Sequence, residues 1–187
     1  MMNGTDLLAQ VSHDLGIDLS ALVARCAIWA DPGVFHQVAR ATPHGAWYPN
    51  TRRIRPGERR GTMDGDVRLD DNTLANIAIK QAVFARANRD CKGFHVCHVW
   101  PSTCYDPRYH TSLANLVLLP AALAGLYDHD TGIAALLQFR AYDLFNWHPL
   151  DLPGPACPPN YPPPSGWAPT VPPSPAVVAR IRKRLIG

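Results

Sequence analysis

Proline placement limits what this chain can fold into more than any other feature. Proline fixes φ and lacks a backbone N–H, so it is excluded from helix interiors and paired strands. Most prolines fall between Pro153 and Pro175, with runs at Pro158-Pro159 and Pro162-Pro163-Pro164. That segment reads as an extended arm, with Tyr161 and Trp167 available to pin it to the body. A second stretch, residues 42–66, carries Pro43, Gly45, Pro49, Pro56, Gly57 and Gly61 and reads as a loop. Regular structure is left to the remaining windows.

Those windows are mostly helical in pattern. Thr5 can cap a helix from Asp6 to about Leu15, which Gly16 stops. Asp18 or Ser20 opens a second, through Trp29, and Asp31-Pro32 starts a third, to about Ala41. Asp70-Asp71-Asn72-Thr73 precede an apolar helix over Leu74–Ala87, and capping explains the acidic pair more cheaply than metal binding. Residues 93–99 suit a short strand, and 100–115 a polar loop. Leu116–Leu119 suits a second strand, Pro120–Asp130 and Ile133–Phe145 two helices, and Ala176–Ile186 a basic amphipathic helix.

The size, 187 residues with 47% hydrophobic content, suits one compact domain with additions. No apolar run approaches the roughly 18 residues that span a bilayer. The longest, near Leu116–Leu126, is interrupted by Pro120 and Gly125, and Met1–Gly16 lacks a basic start followed by an apolar block. A cytoplasmic protein with no membrane partner is expected. The cysteines are Cys26, Cys91, Cys97, Cys104 and Cys157, without a CxxC, so reduced thiols are expected rather than a disulfide framework.

The net charge of +3 says less than its distribution. Arg52, Arg53, Arg55, Arg59 and Arg60 cluster in the 42–66 loop, and Arg180, Arg182, Lys183 and Arg184 near the C-terminus. The first cluster could neutralise phosphates, or be a solvated loop; the second reads better as a charged helix end.

The informative stretch is FHVCHVWPSTCYDPRYHTSLANLVLLPAALAGLYDHD, residues 94–130. Its order is strand, polar loop, Asn-Leu-Val-Leu-Leu, helix, then a histidine at the helix end. This resembles the HNH family of ββα-metal nucleases. The resemblance implies an α+β fold: a small ββα-metal motif embedded in a mostly helical domain, with the proline-rich C-terminal arm appended. It implies His98 as general base, Asn115 as the central asparagine, and His129 with Asp128 as the metal-binding end. Histidine suits water activation because its unperturbed pKa is about 6.5. A divalent cation would neutralise charge developing on the phosphate. A further group, often a backbone carbonyl, must hold the imidazole so that its free nitrogen faces water.

Two departures shape the expected ligand set. Many family members place a histidine or aspartate before the base, where this chain has Cys97, a ligand for soft metals. His95 is a substitute, though strand alternation sets it opposite His98. A family pair of histidines four apart falls near Ala124 and Asp128, and Ala124 cannot bind metal. The expected ligands are therefore Asn115, Asp128 and His129, with His110 added from the loop, completed by water and phosphate. Only one of Asp128 and His129 should bind directly, since neighbours on a helix point about 100° apart. Arg108 would clamp the scissile phosphate, and His110 could also be a second proton carrier; a structural role in the loop is open for both.

Three regions follow: an N-terminal helical region (1–45), an HNH-like nuclease core with the basic loop (46–152), and the arm with its short basic helix (153–187). The function expected is metal-dependent hydrolysis of phosphodiester bonds in DNA, RNA being the other substrate considered. The cation expected is Mg²⁺ or Mn²⁺, with Zn²⁺ or Ni²⁺ as alternatives. The Arg52–Arg60 loop would grip the backbone, and a homodimer is the assembly considered. Two rival readings remain: a nucleic-acid-binding module without cleavage, and a structural zinc protein using Cys91, Cys97 and Cys104 with a histidine.

Overall fold

The computed structural model describes residues 4–54, 57–84 and 92–186, with the backbone alone at 4–6, 9 and 184–186. Arg55, Cys91 and the side chain of Arg184 lie outside the described residues. Helices and two small sheets make a mixed α+β architecture. The helices are α1 (Gly4–Asp14), α2 (Leu19–Cys26), α3 (Pro32–Ala39), α4 (Thr73–Phe84), α5 (Ala121–His129), α6 (Thr131–Phe145) and α7 (Pro175–Ile186). The strands are β1 (Asn50–Arg52), β2 (Met63–Asp64), β3 (Val67–Asp70), β4 (Phe94–His98) and β5 (Leu116–Pro120). Among the described residues, no helix is long and apolar enough to cross a membrane.

Local chemistry sets several of these boundaries. The Asp18 carboxylate accepts from Ser20 N at 2.9 Å and Ala21 N at 3.1 Å, opening α2. Asp31 accepts from Gly33 N at 2.8 Å with Pro32 in the first turn of α3, and Asp130 from Gly132 N at 2.8 Å at the start of α6. At the far end of α6, Asn146 turns left-handed at φ 48° and its N–H returns to Tyr142 O.

Strand β5 is the centre of the core. It pairs antiparallel with β4, His98 standing opposite Leu116, and Leu116–Leu119 are fully buried. Its other edge meets the segment after α2, where Ile28 and Leu118 exchange both backbone bonds at 2.9 and 3.0 Å. Helix α4 offers β5 the small buried residues Ala75, Ala78 and Ala82 beside Ile79, so its axis lies close to the sheet. Leu136, Leu137 and Phe145 of α6, with Val177 and Ile181 of α7, join the same cluster. Side chains from all three sequence regions therefore share one core.

Three expectations change. The 42–66 stretch is not only loop: β1 pairs parallel with β3, and β2 antiparallel with β3, in the order β1-β3-β2. Strands of two to four residues leave too little alternation to stand out between breakers. Asp70 and Asp71 are not spent on capping α4. Asp70 is buried and takes Arg60 at 2.6 Å and Arg68 at 3.3 Å, while Asp71 takes Arg53 at 2.8 Å. The arm, finally, is part of the body. Trp167 is buried, its indole N–H donates to Pro162 O, the Arg140 guanidinium lies 4.7 Å over its ring, and Val171 bridges Ala30. Tyr161 and Trp167 pin it, as the sequence suggested.

Leu118→Ala should cost about 2–5 kcal/mol, the range for large-to-small changes at closed core sites. Urea unfolding of the variant checks this, and a loss below about 1 kcal/mol would contradict β5 as the centre of the core.

Candidate active site

Between β4 and β5 the chain leaves the sheet for residues 99–115. The loop has no ladder; short turns pair part of its backbone, as from Thr103 N to Trp100 O, Asp106 N to Thr103 O and Ser112 N to Tyr109 O, and side chains add to this. Asn115, fully buried, ties the turns to one another. Its Oδ1 accepts from Trp100 N at 3.0 Å, and its Nδ2 donates to Thr103 Oγ1 at 2.8 Å and Tyr109 O at 3.0 Å. Its own carbonyl takes Val99 N at 2.9 Å. The Tyr127 hydroxyl, on α5, donates to His98 O and Val99 O, tying helix to strand end.

Held in this way, the loop presents three side chains together. His98 ends β4 and is 5% exposed; Cys104 and His110 come from the loop and are also buried. One potential ligand atom from each lies within 4.8 Å of the others. The two imidazoles stack with centroids 4.9 Å apart. His98 Nε2 lies 2.9 Å from His110 O. An N–H there donates to the carbonyl and leaves Nδ1 as the basic nitrogen. The backbone carbonyl that orients the His98 ring is thus His110's own. Neither ring nitrogen of His110 has a partner in full hydrogen-bond geometry, although the ring is fully buried and backbone at Asp71 and Cys104 comes near it.

A cleft of about 260 Å³ opens over this group. Arg52, Asn72, His95, Cys97, His98, Cys104, Ala124 and Asp128 are among its walls. Ala124 and Asp128, one turn apart on α5, face it together. Arg52 arrives on β1, which the Thr51 hydroxyl ties to Cys104 O at 3.3 Å. An adjoining groove of about 330 Å³ shares Pro101, Tyr127 and Asp128 with the cleft and continues past His129.

Burial governs the protonation of the site. It lowers the pKa of His98 to about 3, helped by His110 and Arg52 and opposed by the His110 carbonyl. It lowers that of His110 to about 4, against the backbone at Asp71 and Cys104 and the Asp70 carboxylate. Both rings are neutral near pH 7. Burial, with Asp128 beside it, pushes the Cys97 thiol up to about 12. Cys104 is also raised by burial, with Arg52 opposing.

The predicted site residues divide clearly. His98, Asp128 and Arg52 meet at the cleft, and His110 stacks behind His98. Asn115 spends its amide inside the loop and does not line the cleft, which suits a clamp and not a metal ligand. Arg108 is held by Asp106 at 2.6 Å and Asp151 at 2.5 Å, and lines a different, apolar pocket with Trp47 and Pro107. It is not positioned to clamp a phosphate in the cleft. His129 lies on the adjoining groove rather than beside His98. Arg53 and Arg60 are paired with Asp71 and Asp70, and Arg59 is exposed outside the cleft walls, so the arginine loop as a whole does not converge on the site. Sequence reasoning missed Asn72, which reads as a helix start but is one of the cleft's walls, with its Oδ1 buried and unpartnered. Cys104 was weighed only as a zinc ligand with other cysteines. The described cysteines, Cys26, Cys97, Cys104 and Cys157, are free.

Comparisons with family models, with curated proteins and with solved structures found no match for this chain.

Two outcomes test this arrangement. Asn115→Ala should destabilise the fold by about 1–3 kcal/mol for each buried group it leaves unpartnered, read by urea unfolding; a change under about 0.5 kcal/mol would remove the clamp. The pH dependence follows from His98 and His110, whose folded pKa values lie below the unfolded 6.5. Between about pH 6.5 and pH 3 the unfolded chain binds more protons, so stability is full above 6.5 and falls as pH drops through that window. His98→Gln with His110→Gln should flatten the dependence, and an unchanged slope would refute it.

Proposed function

We propose that this chain is a metal-dependent endonuclease of the HNH kind, hydrolysing phosphodiester bonds in DNA. The observation that carries the reading is His98 at the end of the first strand of a hairpin followed by a helix. Its ring is held by a loop carbonyl, and it faces a cleft whose opposite wall is α5 with Asp128. That is the placement the sequence resemblance requires of a base and a metal-binding helix.

The donor set fits a sparse site for a hard cation. Asp128 is the carboxylate on the cleft wall, and water and phosphate oxygens would complete the coordination. Cys97 remains a protonated thiol near neutral pH and is a poor partner for Mg²⁺ or Mn²⁺. When bound, such a cation supplies charge stabilisation to the phosphate and the departing oxygen. The chain's own groups do the rest. His98 takes a proton from water at Nδ1, while its other nitrogen keeps the carbonyl of His110. The nearby phosphate anion favours the imidazolium that results, raising a pKa that burial alone holds low. Arg52 pairs with a phosphate oxygen at the rim.

Nicking of supercoiled plasmid with Mg²⁺ or Mn²⁺ tests the assignment. His98→Ala should lower the rate at least about 100-fold, the scale of a lost general base. Asp128→Asn should weaken the metal requirement's half-saturation about tenfold or more. Cleavage by His98→Ala at the parental rate would sink the role of the base, and absence of metal-dependent cleavage by the parent on any DNA or RNA would sink the function.

A further inference from the structure

The hydrolytic reading uses His98 but leaves Cys104 and His110 without a task. Both are buried, and His110 holds two ring nitrogens away from water with backbone at Asp71 and Cys104 nearby but no partner in full hydrogen-bond geometry. Leaving such a group unsatisfied is costly, so a fully buried imidazole of this kind implies something to bind. What stands next to it is an imidazole and a thiol.

We propose that His98, Cys104 and His110 form a site for a thiophilic transition ion of the Zn²⁺ class, and that its occupation withdraws His98 from catalysis. The site is distinct from the Asp128 side of the cleft, where hard oxygen donors lie. One sulfur and two imidazoles are the donors that such ions select over Mg²⁺. The hydrogen bond from His98 Nε2 to the His110 carbonyl is the outer contact that fixes a metal-binding tautomer and leaves Nδ1 free for the ion. One nitrogen of each histidine and the Cys104 sulfur lie within 4.8 Å of one another. Bonds of about 2.0–2.3 Å to a common centre need them closer, so the stacked rings must tilt toward a shared point. His98 and Cys104 both line the cleft, which gives the ion its route in and leaves a coordination position open to water. Cys97 lines the same cleft but does not join the group.

The inhibitory half rests on the hydrolytic reading: the lone pair that would activate water is the one that would bind the ion. Base and ligand are then exclusive states of a single nitrogen. Hydrolysis supported by Mg²⁺ or Mn²⁺ should therefore stop when a thiophilic ion is bound.

The test is a cobalt titration of the full chain after chelator treatment and dialysis. Co²⁺ should give a near-ultraviolet thiolate charge-transfer band that saturates at about one molar equivalent and is abolished by Zn²⁺. Cys104→Ser should lose the band while Cys97→Ser keeps it, and His110→Gln should weaken binding about tenfold or more. X-ray absorption of the Zn²⁺-loaded parent needs no variant and should give a shell containing sulfur and imidazole nitrogen. No band in the parent, a shell without sulfur, or loss of the band in Cys97→Ser with retention in Cys104→Ser overturns the site. In parallel, about one equivalent of Zn²⁺ should abolish plasmid nicking by the parent. It should change the rate of Cys104→Ser, relative to that variant's own, less than about twofold. Nicking by the parent unchanged with the site filled overturns the inhibition. A parent that binds Co²⁺ but cuts nothing under any metal removes the hydrolytic reading and the inhibition with it, and leaves the site established by its band.

Discussion

Seventeen residues from Val99 to Asn115 fold back into the protein outside any sheet or long helix; short turns pair part of their backbone, and the buried amide of Asn115 ties those turns together. Its oxygen holds the loop's first turn at Trp100, and its nitrogen holds Thr103 and the Tyr109 carbonyl further along. With those points fixed, the His110 carbonyl reaches His98, and the Cys104 thiol comes to the same place. The site is thus assembled on the carboxamide of a residue that does not face the cleft. Polar networks of this sort are stable only when fully satisfied, which leaves little room to substitute any one member.

How much of this was legible in the sequence depends on what each residue's neighbours are. Asp18, Asp31-Pro32 and Asp130 mark helix starts through bonds within three residues, and a linear reading finds such starts. The order strand, loop, strand, helix over 94–130 was readable for a similar reason, since β5 is a continuous apolar run ended by proline. The role of Asn115 was half legible. Its position before Leu116-Val117-Leu118-Leu119 stood out, but whether its amide served the loop or a cation is a matter of orientation, which spacing does not encode. The arginine loop left its two readings open for the opposite reason. Composition reports a basic cluster, yet Arg53, Arg60 and Arg68 are balanced by Asp70 and Asp71, which the sequence assigns to the next helix. Among the described arginines of the loop, only Arg52, delivered by a three-residue strand, reaches the cleft. Strands that short leave no periodic trace.

The acidic pair also shows how one neighbourhood serves the fold and the site at once. Burial works against ionisation of Asp70, but the Asp71 amide with Arg60 and Arg68 holds its carboxyl below the usual range. The ion pairs pull β3 and the start of α4 toward the 53–60 segment, and β3 in turn fixes β1. Arg52 and Asn72 therefore reach the cleft from two sides of a charged seam that does not itself line it. Electrostatic attraction here sets position more than affinity.

Strand β5 carries four buried aliphatic residues in succession, the composition that templates intermolecular β-pairing when its edge is left open. One edge is occupied by β4, and the other by the two backbone bonds between Ile28 and Leu118. The guard at that second edge is a single residue from the segment joining α2 to α3, and it is pressed in place by the chain that follows, through the bridge of Ala30 to Val171. A chain whose C-terminal arm has come away would loosen Ala30 first and Ile28 next, and would then show its most adhesive strand to its neighbours. The proline-rich arm thereby bears, from a distance, on whether the edge of that strand stays covered.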